Sequence, residues 1–228
     1  MTEREKILAR IREALKVPAH VPGAHGNVPL PASAQSSAAS ARKWLPKAGE
    51  SFAEQLALFQ TNAAELKADF QLLASRDELK AALAKISAAE NWQRIASHQG
   101  ELTDFAGDAL GLPVCRTDGG YDVDEMEACN AGVTECDALI AQTGSVLVTS
   151  RSAGGRALSV LPPHHVVLAR REQLVADLPA AFELLKEKYA DNYPSMITFI
   201  TGPSRTGDIE RILVLGAHGP KKLTILCF

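Results

Sequence analysis

The residues best equipped for chemistry gather late in this 228-residue chain. Thr201-Gly202-Pro203-Ser204-Arg205-Thr206-Gly207-Asp208-Ile209-Glu210 follows the apolar run 196–200 and precedes another, 212–215. Gly216-Ala217-His218-Gly219-Pro220 comes directly after. Two Gly-rich polar stretches thus bracket a segment that reads as a short buried strand. A loop of Gly, Ser and Thr between a strand and a helix start turns several backbone N–H groups toward one point, which suits a phosphate or carboxylate. Thr206 reads as the cap of a short helix through Ile209 and Leu213. Arg205 has two roles open to it: an ion pair with Asp208 or Glu210 that holds the loop, or contact with a ligand. His218, between Gly216 and Gly219, is little screened by its neighbours, and has two readings: a proton-exchanging group, or a loop histidine that is only solvated.

Three further groups precede this region. Pro162-Pro163-His164-His165 stiffens the backbone just before two imidazoles. Side chains alternate across an extended chain, so one His is expected to face a pocket and the other the core or solvent. No third ligand stands at recognisable spacing, so the pair does not read as a metal site. Ser150 to Arg156 combines small residues with two guanidiniums, of which Arg156 suits bidentate recognition of an anion; a solvated surface loop fits equally well. Thr143-Gly144-Ser145 has two compatible readings. It places two hydroxyls and a Gly amide against an oxyanion, or it forms a tight hairpin turn between buried strands.

The elements that must position these groups alternate. Residues 3 to about 15 read as an amphipathic helix, with Ile7, Leu8, Ile11 and Leu15 at helical spacing. Residues 17–49 hold five prolines and few large apolar side chains, and read as a linker or extended arm. From residue 50 to 228 helical and strand patterns alternate, which argues for an α/β domain with a mostly parallel sheet covered on both faces. The closely spaced later strands suggest an antiparallel addition. In such a sheet ligands bind beyond the carboxyl ends of strands. Four segments are therefore candidates: Ser97 to Gly100, Gln142 to Ser145, Arg151 to His165, and the late loop with its neighbour at His218.

Composition narrows the classes. A net charge of -3 provides no basic field for nucleic acid. No apolar run approaches the roughly 20 residues needed to span a bilayer, and the charged start lacks the apolar core of a signal peptide, so a cytoplasmic protein is expected. Cys115, Cys129, Cys136 and Cys227 lack C-x-x-C spacing and read as small hydrophobes, which would put any iron–sulfur chemistry on a partner. No Rossmann glycine fingerprint and no P-loop is present.

With these residues in view, the chain resembles the lactate-utilization protein C family of the LUD domain group. The match rests on Ile200 to Glu210, continuing through Leu213 to Pro220, with support from Asp137-Ala138-Leu139-Ile140-Ala141-Gln142-Thr143-Gly144-Ser145 and Leu161-Pro162-Pro163-His164-His165. The resemblance implies a fold similar to the sugar-phosphate isomerase and CoA-transferase-like superfamily. It implies a role beside two iron–sulfur partner proteins in oxidising L-lactate to pyruvate, with clusters on the partners and no cofactor in this chain. By similarity, Thr143, Gly144, Ser145, His164, His165, the loop holding Gly202, Ser204, Arg205, Thr206, Asp208 and Glu210, and His218 line the ligand cleft. Arg205 or Arg156 would neutralise a small carboxylate or phosphate, and one of His164, His165 and His218 would take a proton. Related loops often have an acidic residue before Thr-Gly, where this chain has Gln142. Covalent CoA transfer needs a carboxylate nucleophile and is not expected, and Glu135, seven residues earlier, is a poor substitute. Two other readings stay open: a stand-alone enzyme or sensor for a phosphorylated small molecule, and a non-catalytic assembly subunit. In the last, the N-terminal helix and Pro-rich arm grip a partner or a second copy of the chain.

Overall fold

The computed structural model describes residues 45–190, 192–209, 212–216 and 218–228, with positions 6, 9, 10 and 13; between 206 and 215 only the backbone is described. Residues 1–44 and 45–228 are separate units. In the first, Lys6, Ala9, Arg10 and Glu13 are helical and exposed, the polar side of the expected helix; its apolar stripe and residues 14–44 lie outside the described positions.

Local signals set the elements of the second unit. Helix α1 (Phe52–Glu65) begins at a capping box in which Glu54 N–H donates to Ser51 Oγ and Ser51 N–H donates to the Glu54 carboxylate. Strand β1 (Asp69–Leu72) leads to helix α2 (Arg76–Ala89), whose Glu78 N–H is capped by Ser75. Then come β2 (Ile95–Ser97), α3 (Glu101–Leu110), β3 (Val114–Arg116), the short α4 (Val123–Glu127) and β4 (Ala131–Glu135). The apolar stretch 133–141 is two strands rather than one, because Cys136-Asp137 separates β4 from β5 (Ala138–Ile140). Next are β6 (Ser145–Thr149), β7 (His164–Ala169), β8 (Leu174–Val175), α5 (Leu178–Tyr189) capped by Asp177, and β9 (Ile197–Ile200). The chain closes with β10 (Arg205–Ile209), β11 (Ile212–Leu215) and β12 (Lys222–Cys227).

Six strands form a parallel sheet in the order β1-β12-β7-β4-β2-β3. Four others form a mixed sheet, β8-β5-β6-β9. Alternation explains the layering. Val166 and Leu168 of β7 join Ile95, Ala131 and Leu226 beneath Leu79 and Leu83 of α2 and Leu102 and Ala106 of α3. Val167 and Ala169 face the other way, meeting Phe59 and Ala63 of α1 and Val146 and Val148 of the mixed sheet. The expected mostly parallel sheet flanked by helices is present, with α2 and α3 on one face. On the other face the mixed sheet and α1 do the covering, and α5 packs outside the mixed sheet through Ala181, Leu185 and Tyr189. Strands buried on both faces need near-continuous apolar runs, as β7 and β12 have.

One element differs in kind. The helix expected after Thr206 is a strand: β10 pairs antiparallel with β11, Arg205 opposite Leu215 and Ile209 opposite Ile212. The residues that suggested a cap belong to a two-stranded ribbon instead, and the run 212–215 supplies the partner strand.

Candidate functional site

The two histidines open β7 and point to opposite faces, as alternation requires. His164 shares the α2 face with Thr224, 2.9 Å from its Nε2, and meets Trp92 edge-on with ring centroids 5.4 Å apart. His165 shares the mixed-sheet face with Thr134, 2.9 Å from its own Nε2. Both rings are buried, and both leave Nδ1 without a partner. Burial pushes the His165 pKa down to about 3, helped by neighbouring His164. Burial also lowers that of His164, with Glu90 opposing and Lys222 reinforcing the shift. His165 is therefore neutral at physiological pH and acts as a hydrogen-bonding group rather than a proton store.

The register of β7 places this pair at the amino edge of the sheet, not beyond its carboxyl edge. His164 stands opposite Lys222 on one side and Ala131 on the other. A cleft of about 340 Å³ opens there, lined by Lys67, Asp69, Lys85, Glu90, His164, Lys221, Lys222, Thr224 and Pro203, with Ala82, Ile86, Ala89 and Leu223 as its apolar wall. A second lobe of about 200 Å³ continues past His164 to Trp92 and Asn130. Between the lobes Lys222 Nζ donates to both Glu90 oxygens at 2.6 and 2.7 Å, and this bond holds the Glu90 carboxyl below its ordinary value. Lys67, Lys85 and Lys221 have no ion pair among the described residues. The cleft is thus biased toward anions.

The late Gly-rich loops do converge on this edge. Ser204 N–H donates to Pro220 C=O at 2.9 Å, and Gly216 N–H donates to Ser204 C=O at 2.8 Å. Gly202, Pro203, Ser204 and Pro220 close a smaller pocket over His165 and Ser159. Gly202 has φ +85°, and a Cβ there would stand 2.5 Å from Leu66 C=O, so only glycine lets the loop lie on the end of α1.

The other expected contacts are spread more widely. Thr143-Gly144-Ser145 is the β5–β6 hairpin turn: Gly144 has φ +64°, and its N–H donates to Ile140 C=O. The turn rests on α1, where Asn62 donates to Ala141 and Gln142 carbonyls at 2.9 and 3.0 Å. It reaches the late loop through the 2.8 Å contact of Ser145 with Thr201. Thr143 Oγ1 is buried and unpaired. Arg156 is exposed and caps a 3-10 turn through its backbone, apart from the residues lining the cleft. Arg205 Nη2 donates to Thr201 C=O at 3.3 Å, and His218 is exposed. Glu210 and the side chains of Thr206 and Asp208 lie outside the described residues.

The carboxyl edge holds the Ser97 to Gly100 segment together with Glu135 and Asp137. Strand order reverses between β2 and β4, the usual ligand crevice. Here two side chains bond to the backbone around it. Glu135 accepts from Leu102 N–H at 2.9 Å at the start of α3, and a Cβ on Gly100 would stand 2.4 Å from that carboxylate. His98 Nε2 accepts from Glu135 N–H at 3.3 Å, so its Nδ1–H donates to Gln99 C=O at 2.9 Å. Asp137 lies two residues on, its side chain buried, accepting from Lys188 Nζ and Tyr189 OH at 2.6 Å each. Burial raises its pKa, but the bonds from Lys188, Ser152 and Tyr189 outweigh this and hold the carboxyl low. Ser97 to Gly100 follows a strand and was one of the four candidate segments; the partners of His98 come from segments distant in sequence. All four cysteines are free and buried. Burial pushes the Cys129 and Cys227 thiols up to about 11, so they pack as protonated apolar groups. Among the described residues no His, Cys, Asp and Glu cluster is placed to hold a metal, and no helix is long and apolar enough to cross a membrane.

The class comes first: a parallel α/β sheet backed by a mixed sheet, whose residues 121–227 match the LUD domain family. A crystal structure of a DUF162 family protein from Deinococcus radiodurans shares this fold, with TM-score 0.62 and 24% identity, covering 78% of this chain and 99% of that one. The particular likeness follows. The chain is 37% identical over 110 residues to lactate utilization protein C of Anoxybacillus flavithermus, covering 48% of this chain and 49% of that protein. It is 33% identical over 117 residues to the Bacillus subtilis protein of the same name, with 49% of each chain covered. The chain spans about half the length of the curated relatives it matches. The resemblance read from the Thr143, His164 and Gly202 motifs is borne out, since all three lie within the matched residues.

Proposed function

We propose that this chain is a component of a lactate-utilization system and binds a small anionic ligand in the amino-edge cleft. The likeness of residues 121–227 supports the system. The observation that carries the ligand class is the cleft itself, where three uncommitted ammonium groups face one carboxylate, that of Asp69, outside the Lys222–Glu90 pair. Electrons from lactate then pass to iron–sulfur clusters on two partner proteins, since the buried, protonated cysteines of this chain are not cluster ligands. His164 borders the ligand and His165 steadies the strand behind it. Reconstituting lactate-dependent electron transfer from the two partners, with and without this chain, tests the proposal. Loss of transfer without the chain is expected; equal rates, or normal growth on L-lactate of a strain deleted for the gene, would overturn it.

A further inference from the structure

We infer that the ligand of the amino-edge cleft is an organic phosphate ester larger than lactate, and that Lys67 is a dedicated contact to its phosphate. The inference rests on reading the cleft as the binding site, and it separates that ligand from lactate itself. Three observations carry it.

The first is size. Small-molecule sites begin near about 300 Å³, and the main lobe alone is about 340 Å³, with a further 200 Å³ past His164. Lactate would fill a minor part of that space. The second is charge and wall chemistry. Lys222 is neutralised by Glu90, and Asp69 accepts a bond from Gln71 at 3.0 Å. Lys67, Lys85 and Lys221 remain against the Asp69 carboxylate, a net two positive charges, as many as a phosphate dianion needs and one more than a carboxylate needs. Ammonium groups bind phosphate as point charges without a fixed fork geometry. Ala82, Ile86, Ala89 and Leu223 give an organic group an apolar surface beside them.

The third is backbone strain. Lys67 follows the C-cap of α1 with φ +66°, its N–H bonded to Ala64 C=O at 3.0 Å. Glycine is the usual residue at such a left-handed helix end, and a side chain there costs about 1 kcal/mol. The chain keeps a lysine at this strained position, and that lysine lines the cleft. Asn91 and Ala190 also take positive φ at helix ends, and of these three residues Lys67 is the one that lines the cleft.

The test uses the full chain and calorimetric titration with phenyl phosphate, phenol and L-lactate. Phenyl phosphate is expected to bind, phenol not at all, and L-lactate about tenfold more weakly or worse. Lys67→Gly should weaken phenyl phosphate binding while leaving the melting temperature unchanged or raised, because it relieves the strained φ. Lys85→Ala combined with Lys221→Ala should weaken binding by about tenfold or more, with Lys80→Ala, outside the cleft, as the unchanged control. No binding of phenyl phosphate, lactate binding as tight as the ester, or full affinity in the Lys67→Gly protein would each overturn the inference. None of these results bears on growth on lactate, so this inference and the lactate reading fail separately.

Discussion

At the residue scale, the most consequential side chains are those that burial prevents from ionising or that close packing prevents from growing. His165 is the clearest. Its folded-state pKa of about 3 lies below the unfolded value of roughly 6.5. Between those limits the unfolded chain binds the extra proton, so stability is fully present above the unfolded pKa and falls as pH drops through the window. Urea melts at pH 7 and pH 4.5 should show the native protein losing more stability than His165→Gln, with a slope of up to about 1.4 kcal/mol per pH unit for this one group. Equal losses would show that His165 takes up a proton in the folded state. Gly132 is the second case. A Cβ there would lie 2.2 Å from the backbone oxygen of Leu158, which cannot swing aside as a side chain does. Gly132→Ala should cost about 2 kcal/mol or more by thermal denaturation, despite an extended backbone that alanine adopts readily. Asp137 is the third. Removing it takes the buried acceptor from Tyr189 OH and from the half-exposed Lys188, so Asp137→Ala is expected to cost about 2 kcal/mol in urea unfolding. These roles were only partly legible. Alternation across an extended segment foretold that His164 and His165 would part company, whereas nothing in the linear sequence brings Leu158 against Gly132 or Lys188 against Asp137.

At the element scale, helix α1 organises more of the candidate region than its position before the motif-bearing residues suggests. Its last turns carry Asn62, which donates twice to the β5–β6 hairpin, and Leu66, whose carbonyl stands against Gly202. Lys67 then projects from its end into the cleft. One helix therefore sets the relative places of the Thr143 turn, the late loop and the cleft rim. Ser51→Ala should cost about 1 kcal/mol through loss of the capping box, read as a lower denaturation midpoint. Caps of this sort are local, as the Ser75 hydroxyl on Glu78 N–H three residues later shows. The β10–β11 ribbon is not. Gly, Thr and Asp are compatible with a helix start or a strand end, and the choice was made by pairing with 212–215, a contact between segments rather than a property of either.

At the scale of the whole molecule, residues 45–228 form a unit with its own cores, joined at its start by Gln142 Nε2 donating to Pro46 C=O at 2.7 Å. A chain beginning at residue 45 is expected to melt cooperatively at nearly the native temperature, measured by circular dichroism. If the N-terminal helix and arm grip a partner, the same truncation abolishes co-purification with the iron–sulfur proteins; retained co-purification removes the arm from that role. The sequence by itself determined the α/β class, the burial of the cysteines and the family likeness, because apolar periodicity, small-residue turns and a long motif are written locally. It also marked the late Gly-rich loop as the place to look. Only the tertiary structure decided which edge of the sheet that loop serves. At the carboxyl edge Glu135 and His98 bond to the backbone around the usual ligand crevice, while Lys67, Lys85, Lys221 and Lys222 line the cleft at the amino edge beside His164. Lys67, Lys85 and the adjacent Lys221-Lys222 come from three segments far apart in sequence. Their convergence is a consequence of strand order, which is set by the burial of two faces at once.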